Sequence, residues 1–300
     1  MIKTVEINTI EDVLPLITEQ EYRPDLQRNR SLYLYRGMTD VDFKLTTSLS
    51  RNCKSAKKAL EPCILNNFTK YGCLEDPLIE KSVWRQMILG QHHGLPTRLL
   101  DWSQSPLIAL HFATTEHNLD DMTAHDCIIW RIDIKELHAM LPGRYKKVLS
   151  DNQTSVFTVN MLSEVAADLD QYDEDMQDSA MVVVEPPSID PRIVNQYSFF
   201  AIVPDAVNNI EEFFDKYTNN TVRYVISKDL RWRIRDMLDQ QNISERIIYS
   251  GLDGLSKWLG RHYYVNKKDD KLIPDKNKNP RPLDLGLYIA NNYLTVTLVM

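Results

Sequence analysis

Between Gly90 and Ala113 the chain must stop one helix, run a short strand and start another helix, and this passage constrains the fold more than any other stretch. Gly94 and Pro96 interrupt the helical pattern before them. Arg98-Leu99-Leu100-Asp101-Trp102 is short and carries adjacent rather than alternating leucines, the pattern of a buried strand. Ser103 or Ser105 is placed to cap the next helix with its hydroxyl, and Pro106 suits the first helical position, where no amide proton is needed. Leu107, Leu110 and His111 or Phe112 then recur at helical spacing and give that helix one buried face. The same passage gathers Gln91, His92, His93, Arg98, Asp101 and Trp102. Loops combine aromatic, basic and acidic groups at this density where the groups are aimed at a ligand. Free amides where a strand hands over to a helix suit an anion.

Around this passage the pattern is mixed. Residues 8–20 predict an amphipathic helix with Val13, Leu16 and Ile17 behind a polar capping start. Leu32 to Gly37 reads as a strand ended by Arg36 and Gly37, and Asp42 to Ser50 as extended. Helices are expected at 56–71 and 76–90, a strand at 127–134, and an acidic stretch, part helix and part surface excursion, at 156–177. Met181 to Glu185 and the segment from Asp190 to Ile202 give strands flanking a polar hinge. A helix at 210–217, a strand at 222–226 and helices at 230–240 and 252–263 follow. The order predicts an α+β fold, a mixed central sheet with flanking helices, over residues 1–265. Residues 266–282 are charged and rich in Lys, Asp, Asn and Pro, a linker or mobile segment, and 283–300 are apolar enough to fold back on the domain.

Three hundred residues at 43% hydrophobic and 26% charged, with nine glycines, describe a globular chain rather than a disordered one. A net charge of -7 excludes a global duplex-binding surface and leaves only local basic grooves. No long apolar run and no signal-peptide core are present, so the expected location is cytoplasmic, without membrane contact. Cys53, Cys63 and Cys73 are evenly spaced without a Cys-x-x-Cys element, and they read with Cys127 as reduced thiols. His92 and His93 are adjacent, point in different directions and lack a third ligand, so no metal is expected. The glycine fingerprints of P-loops and dinucleotide folds and the Gly-x-Ser-x-Gly elbow are missing from the sequence.

Tyr35-Arg36-Gly37, then Gly90-Gln91-His92-His93-Gly94 through Asp101-Trp102, then Arg192 to Phe199, resemble the FRG domain family, named for its aromatic-Arg-Gly motif. The resemblance runs from roughly Ile10 to Tyr263, and Gln91, Gly94, Pro96, Thr97, Arg98, Asp101, Trp102 and the Ala109-Leu110-x-Phe112-Ala113 ending fit it in order. Tyr35 stands in place of Phe, and Tyr197-Ser198 stands where many members carry Gly after the later glutamine. At the level of fold, an Arg-Gly strand, a strand turning into a helix that ends in Phe-Ala, and a later strand are similar to the three-motif order of ADP-ribosyltransferases. That likeness implies a split central sheet, NAD as substrate, and a transferase or NAD glycohydrolase, in the setting of a toxin or phage-defence effector.

Cleaving nicotinamide from NAD needs a cation for the pyrophosphate, an aromatic shelf and a polar group near the ribose as an oxocarbenium-like centre develops. The likeness assigns catalytic roles to Arg36, His93, Asp101 and Gln196, and binding roles to Tyr35, Gly37, Gln91, His92, Thr97, Arg98, Trp102 and Arg192. Arg36 would grip phosphate as a planar fork. Trp102, His93 or Tyr35 would stack on the ring. Gln196 or Glu185 would meet the ribose, with Asp101 a competing acidic group, because no Glu-x-Glu occurs at the third motif. Structural readings stand beside these: Arg36 as a clasp on Asp101, Gly37 as a turn, one histidine in the core, Trp102 as a core aromatic, and Arg192 with Gln196 as hinge hydrogen bonding. Arg98 and Asp101, three apart on a strand, face opposite sides, so at least one needs another partner. Two further functions fit the same cations: a non-catalytic module binding a nucleotide or a nucleic-acid end, and a metal-independent phosphoester hydrolase with His93 as base. The expected partners are a small nucleotide and a protein or nucleic-acid acceptor.

Overall fold

A computed structural model describes residues 2–249 and 251–265, so the segments expected at 266–282 and 283–300 lie outside the described residues. Of the described residues, those up to 259 form one compact unit and 260–265 fall outside it. In chain order, β1 (Lys3–Ile7), α1 (Val13–Thr18) and a small ribbon of β2 (Tyr22–Arg23) and β3 (Arg28–Asn29) precede β4 (Tyr33–Met38). Three helices, α2 (Ser48–Cys53), α3 (Lys57–Gly72) and α4 (Val83–His92), lead to β5 (Leu99–Ser103) and α5 (Pro106–Ala113). Then come β6 (Cys127–Asp133), α6 (Ile134–Ala139), α7 (Gly143–Asp151), β7 (Phe157–Thr158), α8 (Val159–Val165) and α9 (Leu169–Met176). The remainder is β8 (Val182–Glu185), α10 (Pro191–Asn195), β9 (Ser198–Ile202), α11 (Ile210–Tyr217), β10 (Val222–Ile226), α12 (Arg231–Gln240), α13 (Glu245–Ile248) and α14 (Leu252–His262).

The fold is α+β: a mixed eight-stranded sheet in the order β1-β10-β6-β4-β5-β9-β8-β7, flanked by helices. Its two rims pair in parallel and the strands between them antiparallel. Strand alternation sorts the core. Tyr33 and Tyr35 of β4 share a cluster with Ile129 of β6 and with Leu110 of α5 and Ile234 of α12. Leu34, Ile128 and Trp130 belong to a second cluster with Leu137 of α6 and Phe213 and Phe214 of α11. Leu99, Val182, Phe200 and Ile202 join Leu65, Trp84 and Tyr172 of α3, α4 and α9 in a third.

The sheet parts in its middle. β4 matches six residues of β6 and β5 matches five of β9, but β4 and β5 share one bridging pair, Tyr35 with Ser103. Beyond that pair the two strands diverge, and a cleft is lined from both of them.

Several expectations change. The helix predicted over 8–20 is only α1, because residues 8–12 form a turn in which Asp12 accepts the amides of Asn8 and Thr9, and residues 3–7 are an edge strand paired with β10, more than two hundred positions away, that no local pattern announces. β4 does not stop at Gly37 but runs to Met38, and Gly37 makes no turn. A Cβ there would sit 2.0 Å from the carbonyl oxygen of Ala109 and 2.6 Å from the amide of Ala113, so this glycine lets α5 lie directly on β4. The polar hinge expected between β8 and β9 is a short helix, α10, capped by Asp190, whose Oδ1 accepts the Arg192 amide at 2.6 Å, with Pro191 at its first turn.

Candidate functional site

α4 ends in a way that aims its last turn. Gly94 adopts φ +83°, its amide bonds the carbonyl of Gln91 at 3.0 Å, and the Leu95 amide returns to the Gly90 carbonyl at 2.8 Å. These are the two bonds of a Schellman close, which only a residue free of a Cβ penalty makes at no cost. Gln91 and His92 of that turn therefore line the cleft.

Gln91 fixes Asp101. The Thr97 hydroxyl donates to Gln91 Oε1 at 2.6 Å, which turns Nε2 toward both carboxylate oxygens of Asp101 at 3.0 Å each. Thr97 is itself held, because its amide donates to the Ser48 hydroxyl at 3.0 Å at the start of α2. From β4, Arg36 reaches across the gap in the sheet: Nη1 donates to the Asp101 carbonyl at 2.8 Å and stands 3.6 Å from its carboxylate. Burial pulls the Arg36 guanidinium below its ordinary value, Asp101 pushes it back up, and nearby Arg51 lowers it again.

The cleft has a volume of about 670 Å³. Four cationic side chains line it, Arg36, Lys44, Arg51 and Arg192, against one carboxylate, Asp101. Its apolar wall includes Phe43, Trp102, Phe112 and Phe200. Arg36 Nε, Trp102 Nε1 and Gln196 Nε2 are buried donors that find no partner among the described residues, and all three belong to residues lining this cleft. Leaving a buried donor unpaired costs about 1–3 kcal/mol, so three at one place favour an acceptor-rich ligand. Unpaired donors, net positive charge and a ring-sized apolar wall together suit an anionic nucleotide.

Of the residues singled out from the sequence, Tyr35, Arg36, Gly37, Gln91, His92, Asp101, Trp102, Arg192 and Gln196 line the cleft. Arg192 and Gln196 reach it together because α10 and its cap make them neighbours on one helical turn. Tyr35 contributes no stacking face, since it is 1% exposed and its hydroxyl donates to Glu19 at 3.2 Å. Thr97 is wholly buried and acts only through Gln91. Arg98 turns to the opposite side from Asp101, as their spacing requires, and is enclosed by Glu61 and by Asp173 at 2.6 Å. It is a structural cation. His93 caps α4, is exposed and lies outside the cleft, which leaves a phosphoester hydrolase without its proposed base. Glu185 is also outside it.

Lys44, Arg51 and Phe43 were not foreseen. They arrive on the coil after β4 and on α2, whose start Thr47 marks by accepting the Ser50 amide. That capping pattern was legible, but the direction in which it sends Arg51 was not. Among the described residues no group of three His, Cys, Asp or Glu side chains is placed to hold a metal ion, and no helix is long and apolar enough to cross a membrane. Residues 31–122 match the FRG domain family. The match covers β4 through α5 and so includes Arg36 and the Gln91 to Trp102 passage, but it stops short of α10. Comparison with curated proteins and with solved structures returns no match.

Proposed function

From the FRG domain in residues 31–122, we propose that the cleft binds NAD as a substrate and transfers its ADP-ribose part to an acceptor, with release of nicotinamide. The observation that carries this reading is the set of three unpartnered buried donors within a cleft of four cations and one carboxylate. Arg36, with Arg51, Lys44 and Arg192 in the same lining, holds the pyrophosphate. Phe43 or Phe112 gives the nicotinamide ring its apolar surface, whereas Trp102, 3% exposed and edge-on to Phe214, is a core aromatic. Asp101, held by Gln91, faces the ribose carbon as positive charge grows there, and its fixed position means that little reorganisation is needed at that moment. Gln196 offers its amide to the ribose hydroxyls. A toxin or phage-defence role follows if the acceptor is a cellular macromolecule.

The test is incubation of the purified protein with NAD, with and without cell lysate, following nicotinamide and ADP-ribosyl products by mass spectrometry. Arg36→Ala should lower release at least 100-fold, in keeping with the loss of one preorganised charge contact. Its melting temperature should stay within a few degrees of the parent, because Arg36 makes a single short bond to Asp101. If Arg36→Ala unfolds instead, Arg36 is a clasp. Stabilisation by NAD without any nicotinamide release would make the cleft a non-catalytic binding module.

A further inference from the structure

A histidine of the cleft wall is paired with a carboxylate that stands behind the lining. His92 lines the cleft from the last turn of α4, and its Nε2 stands 3.3 Å from Oδ1 of Asp190. Asp190 is immobilised by capping α10, where the same oxygen accepts the Arg192 amide. The other ring nitrogen, Nδ1, has no hydrogen-bond partner among the described residues, while the His92 ring is braced edge-on by His93 with centroids 5.1 Å apart. The charged groups around it are Asp190 and Arg192 from α10, His93 from its own helix end, and Arg36 and Asp101 on the strands lining the same cleft. Desolvation is the largest influence and holds the imidazole below its usual value, Asp190 opposes this, and Arg192 and His93 add to it. The ring is thus neutral at neutral pH and can accept a proton.

We propose that His92, oriented by Asp190, is the general base that deprotonates the acceptor, so that the cleft serves a neutral hydroxyl nucleophile; this rests on the NAD reading above. The bond between ribose C1′ and the nicotinamide nitrogen breaks, and its electron pair leaves with the neutral nicotinamide. The acceptor oxygen forms the new bond to C1′. Its proton passes to His92 Nδ1 and then to solvent, while Asp190 remains a carboxylate that receives the Nε2 proton as a hydrogen bond. Nothing is oxidised or reduced.

Competition between methanol, which must lose a proton, and azide, which carries none, isolates this step. With NAD as substrate, wild-type protein forms both O-methyl and azido ADP-ribose. In His92→Ala the ratio of methyl to azido product should fall at least tenfold, and added imidazole should restore part of it. Asp190→Asn keeps the helix cap but removes the charge that favours the imidazolium. The acid limb of methyl transfer should then move to lower pH while azide capture keeps its profile. An unchanged product ratio in His92→Ala overturns the role of His92 and leaves the NAD reading intact. Formation of neither product by wild-type protein overturns both.

Discussion

At Tyr197 the backbone φ is +49°, the left-handed region that costs a residue with a Cβ about 1 kcal/mol or more. The side chain is 58% exposed, so little packing repays that strain. The position follows Gln196, and its left-handed φ is the conformation that glycine adopts without that cost. Tyr197→Gly should raise stability by up to about 1 kcal/mol, net of the extra freedom glycine adds to the unfolded chain. Thermal unfolding checks this, and a fall in melting temperature would mean that the exposed phenol makes a contact worth more than the strain. Gln91 shows the complementary lesson. Its Oε1 accepts the Thr97 hydroxyl and its Nε2 donates to both Asp101 oxygens, so one side chain converts a buried hydroxyl into the orientation of the candidate catalytic carboxylate.

At the level of elements, two contacts hold the strands around the cleft. α5 lies on β4 through the bare backbone of Gly37, and the close approach leaves no room for a methyl group. Gly37→Ala must push α5 off β4, at a cost of about 3 kcal/mol or more, because the obstructing atoms are backbone and cannot rotate away. A chemical-denaturation midpoint reads this directly. On the other side, Arg98 ties β5 to α3 through Glu61 and to α9 through Asp173. Desolvation works against its charge, but Glu61 and then Asp173 outweigh it and its pKa is raised. Removing one partner strands buried charge, so Glu61→Ala should cost about 3–5 kcal/mol, again read from the denaturation midpoint. Replacing Arg98 and both acids by well-packed apolar residues should cost much less, since a buried ion pair is weak evidence of net stabilisation.

At the scale of the whole molecule, the titration of His138 couples stability to pH. His138 on α6 is buried, with Nε2 accepting the Val183 amide at 3.0 Å, so Nδ1 holds the proton and donates to the Ser155 carbonyl at 2.9 Å. Desolvation dominates and brings its pKa down to about 4. The unfolded chain, with a value near 6.5, binds the proton first. Stability therefore falls as pH drops from about 6.5 to about 4, by roughly 3 kcal/mol in all, and is level in this respect above that window. Protonating Nε2 would also abolish the bond from Val183. A His138→Gln protein, which offers one acceptor and one donor, should lose about 3 kcal/mol of the stability change between pH 6.5 and 4 in denaturation series. A slope unchanged in that variant would assign the acid sensitivity to other groups.

By itself the sequence determined the α+β class, the helices expected at 106–113, 210–217 and 230–240 and the strands at 127–134 and 222–226, all found to within a residue, and the passage from Gln91 to Trp102 as the place to look. These follow from local rules: periodicity, caps, and the glycine and proline that stop a helix. It also required Arg98 and Asp101 to part company, since three residues along a strand reverse the face. Only the tertiary structure decided that β1 joins the sheet, that Gly37 serves helix packing, that β4 and β5 separate after one pair, and that Lys44 and Arg51 border the resulting cleft. It likewise sent His92 into the cleft and His93 out of it, a distinction of about 100° around one helix that adjacent identical residues cannot express. Each of these depends on contacts between residues far apart in the chain, where no local pattern carries the information.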